Sequence, residues 1–380
     1  MAKIRVLVVD DAVVVRRIVT DVLAADPDLE VAGIAANGKI ALAKIPQVNP
    51  DVVTLDVEMP EMDGLETLAA IRKIYPRLPV IMFSTLTERG TATTLEALTL
   101  GATDYVTKPS NVGSVSAAQQ SLREQLVPKI KLFCGKADRT PTSAFKPSPQ
   151  PVRPLASPAI PPSRIDIVAI GISTGGPNAL AHVVPQFPAD FPVPIVIVQH
   201  MPPVFTRLLA ERLDSKSALR VCEAQAGQIV QAGRIYLAPG NYHMVVKREG
   251  TNIRIETNQD PPENSCRPAV DVLFRSVVDV YGAGTLGVIM TGMGQDGMRG
   301  CERIRDVGGQ NVAQDESSSV VWGMPGFIAK SGLANSVVSL DEMASEIMRR
   351  VQKSAVLGRA NVSSPTRSAN YQSAVMTRAE

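Results

Sequence analysis

A proline- and serine-rich stretch, residues 140–163, constrains the fold most, because it divides the chain into two units. It reads TPTSAFKPSPQPVRPLASPAIPPS, a composition that favours extended backbone and cannot form a core. The chain has 380 residues, 45% of them hydrophobic and 20% charged, which leaves room for two domains. We therefore predict two folded domains, a linker and a disordered polar tail, with these bounds: domain one 1–125, connecting segment 126–163, domain two 164–353, tail 354–380.

The first unit alternates apolar strand patterns with amphipathic helix patterns. This alternation predicts a doubly wound parallel sheet, an α/β fold of the (βα)5 type. The five predicted strands are Ile4–Val9, Val31–Ala35, Val52–Leu55, Val80–Phe83 and Asp104–Val106.

Acidic residues stand at the ends of two of these strands: Asp10 and Asp11 after the first, Asp56 after the third. Crossover connections bring the carboxyl ends of parallel strands to one edge, so we expect the three carboxylates to converge. A hard divalent cation such as Mg²⁺ would offset their repulsion and let Asp56 attack a phosphoryl donor. Ser84 or Thr85, with Lys108, would contact the phosphoryl oxygens.

These residues lie in motifs that resemble the response-regulator receiver family over about residues 3–125. The motifs are VVDD (8–11), LDVEMPEMDG (55–64), Ser84-Thr85 and Lys108-Pro109. The resemblance implies that a partner histidine kinase phosphorylates the chain. It also implies these roles: Asp56 as the phosphorylation site, Asp10, Asp11, Asp56 and the Glu58 backbone carbonyl as Mg²⁺ ligands, Lys108 as the phosphoryl contact, Ser84 as the switch hydroxyl and Tyr105 as the switch aromatic residue.

The same alternation returns after the linker and predicts a second doubly wound parallel sheet. Its predicted strands are Ile165–Ile170, Pro194–Val198 and Leu286–Met290, with a β-rich insertion over residues 220–256. The first of these strands ends in the glycine-flanked sequence GISTGG, residues 171–176, which leads into a helix from Pro177 to Val184. Such a loop presents Ser173 at the carboxyl edge of the sheet as a nucleophile.

A serine hydroxyl needs a base, and the chain has three histidines. His200 follows the strand that ends at Val198, so we predict it at the same edge as Ser173. His182 lies about two turns into the next helix and is predicted to be a surface or packing residue.

Asp296 follows the strand ending at Met290 and is predicted to orient the imidazole of His200. A competing triad of Ser173, Asp214 and His243 has the residue order of α/β-hydrolases. Asp214, however, ends the predicted helix Val204–Leu213, where a capping role is the simpler interpretation.

The second unit resembles the CheB methylesterase family over about residues 165–350. The resemblance rests on GISTGGP, QHMPPVFTRLLAERLD, IYLAPGNYHM, RPAVDVLFRSV, TGMGQDGMRG and AQDESSSVVWGMP. It implies Ser173 as nucleophile, His200 as general base and acid, and Asp296 as the orienting acid, with no cofactor for this reaction. The implied activities are hydrolysis of glutamate methyl esters and deamidation of glutamines on chemoreceptors, in a two-component chemosensory system.

Three further predictions concern the surroundings of Ser173. The backbone amides of Thr174 and Met293 would stabilise the oxyanion. Met201, Met244 and Met293 would form an adaptable apolar rim, or would simply fill the core. An unphosphorylated first domain would dock over this edge and cover Ser173.

Composition limits the remaining possibilities. A net charge of +2 gives no general attraction to nucleic acid, and four scattered cysteines form no CxxC pair, so we expect reduced thiols and no zinc site. Without a signal-peptide pattern or a long apolar stretch, we expect a cytoplasmic monomer that is not inserted in a membrane. A DNA-binding regulator and a phosphorylation-gated interaction module stay open as alternatives.

Overall fold

The computed structural model describes residues 2–108, 115–134 and 164–362, so the proline-rich stretch lies outside the described residues. The first domain has a five-stranded parallel sheet in the order β2-β1-β3-β4-β5. Its strands are β1 Ile4–Val9, β2 Leu29–Ala35, β3 Val52–Asp56, β4 Val80–Ser84 and β5 Asp104–Thr107. Its helices are α1 Val13–Ala24, α2 Gly38–Val48, α3 Gly64–Ile74, α4 Glu88–Thr99 and α5 Val115–Cys134. The predicted (βα)5 fold is confirmed.

Helix α5 corrects the boundary predicted at residue 125, which falls inside it. Leu126, Val127 and Ile130 of α5 are buried in the same apolar cluster as Val6 and Val8 of β1. The first domain therefore extends to Cys134, because the second half of α5 completes its core.

The second domain is built on a seven-stranded sheet in the order β14-β13-β12-β6-β7-β9-β8, with a separate hairpin of β10 and β11. The strands are β6 Ile167–Ile172, β7 Ile195–Gln199, β8 Arg220–Glu223, β9 Arg234–Leu237, β10 His243–Glu249, β11 Asn252–Asn258, β12 Thr285–Ile289, β13 Gln310–Gln314 and β14 Ser336–Val338. The helices are α6 Gly176–Val183, α7 Phe205–Asp214, α8 Val270–Tyr281, α9 Met298–Asp306, α10 Met324–Lys330 and α11 Leu340–Val362.

The region predicted as a β-rich insertion, residues 220–256, contains four strands that belong to two sheets. Strands β8 and β9 pair in parallel with the main sheet, whereas β10 and β11 form the antiparallel hairpin. The prediction missed β13 and β14. β13 reads QNVAQ and β14 has three residues, so neither carries the apolar run that marks a buried strand, although most of β13 is buried.

The predicted disordered tail is also corrected at its start. Helix α11 continues to Val362, past residue 354, and residues 363–380 lie outside the described residues. Met343, Ile347 and Val351 recur at helical spacing and are buried, which anchors the first part of α11 to the domain.

The two domains contact each other through α4 and β5 of the first and α6 and α7 of the second. The Tyr105 and Phe205 rings stack with centroids 4.6 Å apart and planes inclined by 12°. Arg212 of α7 donates hydrogen bonds to the Leu95 carbonyl and to the Thr99 hydroxyl of α4. The Asn178 side chain donates to the Leu98 carbonyl at 2.7 Å. The first domain therefore lies against the carboxyl edge of the second sheet.

Candidate active site

Three adjacent strands, β12, β6 and β7, bring the predicted catalytic residues to one place. Ser173 follows β6 directly, His200 follows β7 directly, and Asp296 lies in the loop after β12. β7, the next strand along the chain, pairs with one side of β6, and the later strand β12 pairs with its other side. The strand order therefore reverses at β6. Ligand sites in such sheets lie outside the carboxyl ends of the strands at this point.

The backbone around Ser173 is held on both sides. Its amide donates to the Thr291 carbonyl at 2.9 Å, and its carbonyl accepts from Gly176 at 2.7 Å and from the Gln199 side chain at 3.0 Å. Gly175, with φ of 79°, makes the turn into α6. A Cβ on Gly292 would lie 2.8 Å from the Ser173 Cβ, so the loop after β12 approaches Ser173 as closely as glycine permits.

His200 and Asp296 form a direct pair, in which the Nε2 of His200 donates to the Oδ2 of Asp296 at 2.8 Å. Asp296 also accepts from the Val270 and Asp271 amides at the start of α8, at 2.7 and 3.0 Å, and from the Asn264 side chain at 2.8 Å. Burial alone would raise the pKa of Asp296, but these hydrogen bonds and the imidazole lower it. Asp296 is therefore held as an anion that orients the ring.

The second nitrogen of His200, Nδ1, faces the thiol of Cys266 at 3.6 Å. Burial alone would lower the pKa of His200, but Asp296 and Cys266 outweigh it and raise this pKa to about 10. Among the described residues no hydrogen bond joins the Ser173 hydroxyl to His200. Both nevertheless line the same cavity. With a pKa of about 10 the His200 ring is protonated at neutral pH, so Nδ1, the nitrogen not bonded to Asp296, accepts the serine proton only in the fraction of molecules in which His200 is neutral.

The oxyanion donors predicted from sequence stay predictions. The positions of both residues are compatible with that role. Thr174 and Met293 both line the cavity beside Ser173. Among the described residues neither backbone amide donates to another protein group. Each amide therefore retains its donor for a ligand.

The competing triad is not assembled. His243 is buried, its Nδ1 accepts from the Ala269 amide at 3.2 Å, and its Nε2 lies 3.2 Å from the Pro261 carbonyl. Asp214 accepts from the Val221 amide of β8 at 2.7 Å and lies 3.4 Å from Arg220, so it joins the end of α7 to β8. His182 pairs with Asp341 at 2.9 Å on the surface, as its helical position predicted.

The methionines divide between the two interpretations. Met201 and Met293 line the cavity, and Met293 is 41% exposed. Met244 belongs to β10 and is fully buried in the core, so its inclusion in the rim was wrong.

In the first domain the three carboxylates converge as expected. Ligand oxygens of Asp10, Asp11 and Asp56 lie within 4.8 Å of one another, and the Lys108 ammonium lies 2.9 Å from Asp10 and 2.7 Å from Asp56. Burial and the Asp10 charge raise the pKa of Asp56 to about 6, against the opposing effect of Lys108. The cluster carries more negative charge than one lysine offsets, and its all-oxygen donors suit Mg²⁺.

Of the remaining predicted receiver residues, Glu58 contacts the cluster, because its backbone hydrogen-bonds the Asp56 carboxylate. The Ser84 hydroxyl is buried and bonds to the Gly90 carbonyl and to Thr94, while Thr85 pairs with Thr87 at 3.0 Å. The Glu58 side chain faces Arg89 at 3.8 Å on the surface. Tyr105 is buried at the contact between domains.

A cavity of about 720 Å³ lies between the domains. The first domain contributes Tyr105 and Lys129 to its wall, and the second contributes Ser173, His200 and Cys266. The predicted nucleophile therefore faces the other domain.

Comparison with known proteins places both halves of the chain. Residues 168–347 match the CheB methylesterase model, and residues 6–119 match the response regulator receiver domain model. A protein-glutamate methylesterase/protein-glutamine glutaminase of Trichodesmium erythraeum is 55% identical over 92% of this chain and 100% of its own length. The chain belongs to the CheB methylesterase family. Proteins of the same name from Nocardioides and Symbiobacterium thermophilum are 49% and 44% identical, over 93% and 92% of this chain and 97% of theirs.

The sequence analysis of this CheB family member missed two residues at the site, Asn264 and Cys266. Both lie between β11 and α8, in a segment without a strand or helix pattern, and reach the site only through the folded loop. The stretch RPAVDVLFRSV, which begins at the next residue, was a signal that this loop matters. All four cysteines are free thiols, as expected.

Among the described residues of this CheB family chain, no helix combines the length and apolar character required to cross a bilayer.

Proposed function

We propose that this chain is a phosphorylation-activated serine hydrolase with two activities on chemoreceptors. It demethylates glutamate methyl esters, releasing methanol, and it deamidates glutamines to glutamate. The observation that carries the proposal is the position of Ser173 and the His200–Asp296 pair at three neighbouring strand ends. The names of the relatives give the substrate class.

In the proposed reaction the Ser173 hydroxyl attacks the ester carbonyl while Nδ1 of His200 takes its proton. The imidazolium then protonates the departing methoxide, and an acyl-enzyme forms on Ser173. His200 next takes a proton from water as the water oxygen attacks the acyl-enzyme, and the imidazolium returns that proton to the Ser173 oxygen as the glutamate leaves. Asp296 stabilises the imidazolium in both steps without accepting its proton.

Two backbone amides, those of Thr174 and Met293, would hold the oxyanion of each tetrahedral intermediate. Removing one such donor costs about 3 kcal/mol in known hydrolases. The exposed Met293 side chain would contact the helical substrate around this point, whereas Met201 lines the cavity as a buried residue.

Control of the reaction follows from the cavity between the domains. With the first domain docked, Tyr105 and Lys129 of that domain form part of the wall of the cavity that a receptor helix would have to enter to reach Ser173. Phosphorylation of Asp56 would change the charge balance around Lys108 and shift β5, whose Tyr105 stacks on Phe205 of the second domain. The open form would then gain population.

The partners and the cofactor follow from the same proposal. A sensor histidine kinase supplies the phosphoryl group, and Mg²⁺ held by Asp10, Asp11, Asp56 and the Glu58 carbonyl would neutralise the transferred charge. The esterase reaction itself uses no cofactor. The substrate lies on the cytoplasmic helices of receptors, so the enzyme acts in the cytoplasm as a monomer.

Methanol release from a methylated receptor tests the catalytic assignment. We expect wild type to release methanol, Ser173→Ala to release it at least ~1,000-fold more slowly, and Asp56→Asn to retain only the unphosphorylated rate. Undiminished release by Ser173→Ala would overturn the mechanism.

The domain contact is tested by removing the guanidinium that joins α7 to α4. We expect Arg212→Ala to raise the unphosphorylated esterase rate several-fold, since its bonds to Leu95 and Thr99 hold the docked form. Arg303→Ala is the matched control, because Arg303 pairs with Asp279 within one domain. Equal rates for the two variants would contradict the docking proposal.

A further inference from the structure

Cys266 has the position of a second nucleophile toward the same base. Its Sγ lies 3.6 Å from Nδ1 of His200, and Nε2 of the same ring lies 2.8 Å from Asp296. A thiol, an imidazole and a carboxylate in this order form an arrangement that activates cysteine nucleophiles. The imidazole accepts the thiol proton and the carboxylate stabilises the resulting imidazolium.

Among the described residues, none places such a base beside the other three cysteines. Burial raises the pKa of Cys134 to about 12, with Asp51 adding to it, and raises that of Cys301 well above its ordinary value. Cys222 contacts the Gln228 side chain at 3.4 Å and the Ile235 carbonyl at 3.9 Å. These neighbours cannot accept the thiol proton at neutral pH. Cys266 therefore differs from the other three cysteines in having a base beside its thiol.

Cys266 is also reachable from solvent space. It is half-buried and lines the 720 Å³ cavity together with Ser173 and His200. A small, uncharged oxidant fits in a cavity of this volume even with the first domain docked.

A bound metal ion is a weaker interpretation of the same three residues, although their ligand atoms lie within 4.8 Å of one another. Both oxygens of Asp296 already accept hydrogen bonds, two of them from backbone amides that cannot turn away. A metal would have to displace these donors in a buried site, whereas a reaction at the Cys266 thiol would displace none of them.

We propose that Cys266 is a nucleophilic thiol activated by His200, that hydroperoxides oxidise it to a sulfenic acid, and that this oxidation stops the esterase. The inference rests on the role proposed for His200. The Cys266 thiolate attacks one peroxide oxygen, so an S–O bond forms and the O–O bond breaks. The departing alkoxide or hydroxide takes the proton from the His200 imidazolium. Sulfur is oxidised by two electrons, the peroxide is reduced by two, and the products are Cys266-SOH, neutral His200 and an alcohol or water.

Oxidation would stop the esterase because the new hydroxyl lies against Nδ1, the nitrogen that must accept the Ser173 proton. A sulfenic hydroxyl donates a hydrogen bond to Nδ1 and removes it from Ser173. External thiols reverse the change: one thiol forms a mixed disulfide and releases water, and a second thiol frees Cys266 as the external disulfide leaves.

The first test measures thiol reactivity by mass spectrometry after treating the full-length chain with hydrogen peroxide and a sulfenic-acid trap. We expect Cys266 to be labelled at least ~10-fold faster than Cys222 in the same molecules, and His200→Gln to remove most of this advantage. Equal labelling of Cys266 and Cys222, or labelling unaffected by His200→Gln, would overturn the proposal. This readout needs no esterase activity, so it is independent of the proposed function.

The second test measures methanol release before peroxide, after peroxide, and after dithiothreitol, with each variant normalised to its own untreated rate. After peroxide, we expect the rates of methanol release by wild type and Cys222→Ser to fall at least ~10-fold and to recover with dithiothreitol, while Cys266→Ser keeps its rate. A similar loss in Cys266→Ser would overturn the regulatory part. Absence of methanol release from untreated wild type would count against the proposed function instead.

Discussion

Asp56 and Asp296 occupy equivalent places in the two domains and have opposite electrostatics. Each lies at the carboxyl edge of a parallel sheet and is 3% exposed. Burial and the neighbouring Asp10 raise the pKa of Asp56 to about 6, although Lys108 opposes them. Burial is outweighed at Asp296, whose pKa is lowered by His200 and by the amides of Val270 and Asp271.

The difference shows what a buried carboxylate requires from its surroundings. Asp296 has its charge balanced within the protein by four hydrogen bonds, so it is complete as a fixed anion beside the base. Asp56 shares one ammonium with Asp10 and stays under-neutralised. A bound cation would stabilise such a carboxylate. A change in the charge of the carboxylate would strongly alter the electrostatics around it, as a switch requires.

The largest expected effect comes from removing the charge of Asp296. We expect Asp296→Asn to lower kcat for methanol release by about 10³–10⁴-fold, because the amide cannot stabilise the imidazolium. Circular dichroism should show an unchanged fold. A loss of less than about tenfold would mean that Asp296 is structural rather than part of the catalytic unit.

At Asp56 the corresponding change should stabilise the first domain rather than disable it. A folded-state pKa raised from 3.8 to about 6 means that stability is present below pH 4 and is lost as pH rises through 6. We therefore expect Asp56→Asn to stabilise the domain by about 1–3 kcal/mol at pH 7.5 and by little near pH 4. Hydrogen exchange of the β1 and β3 amides measures this free energy of opening.

Magnesium sharpens the same prediction. Added Mg²⁺ should slow exchange in wild type at pH 7.5 and should have a much smaller effect in Asp56→Asn. Equal protection of both proteins by Mg²⁺ would show that Asp56 is not a ligand.

A smaller effect is expected where one donor to Asp296 is removed. Asn264 has φ of 52°, which glycine tolerates, so Asn264→Gly removes the amide without straining the backbone. We expect kcat to fall about tenfold with little change in KM, equivalent to about 1–2 kcal/mol. Ser265→Gly is the matched control, because the adjacent Ser265 has φ of 61°. If both variants lose activity equally, loop flexibility is the cause and not the lost hydrogen bond.

The smallest effect is expected at the exposed ion pair between the domains. Glu88 of α4 pairs with Arg207 of α7, and the Glu88 side chain is 75% exposed. We expect Glu88→Gln to raise the unphosphorylated rate by less than about fivefold, and salt to abolish the difference. Glu249→Gln, which breaks an exposed pair with Arg254 inside the hairpin, should leave the rate unchanged. A large effect at Glu88 would mean that docking depends on charge more than on the Tyr105–Phe205 contact.

The sequence predicted the elements that present both sites, because apolar strands followed by polar loops are local patterns. Asp10, Ser173 and His200 each follow such a strand and Asp56 ends one, so all four lie at the predicted sheet edges. Prediction from sequence failed at the polar strand β13, where the pattern is weak. It also failed at α5, which continues past the domain boundary predicted at residue 125. The role of Cys266 could not be predicted, because the spacing of cysteines along the chain does not show which residues are close in space.

By itself, the sequence determined the α/β class of both domains, the family of the chain and the strand ends that carry its reactive side chains. Periodicity and turn residues encode these features locally, within single elements. Only the tertiary structure decided that Asp296 is saturated by donors, that Cys266 faces His200, and that the first domain lies over Ser173. Each of these contacts joins residues far apart in the chain, and their distance depends on strand order, loop path and domain packing.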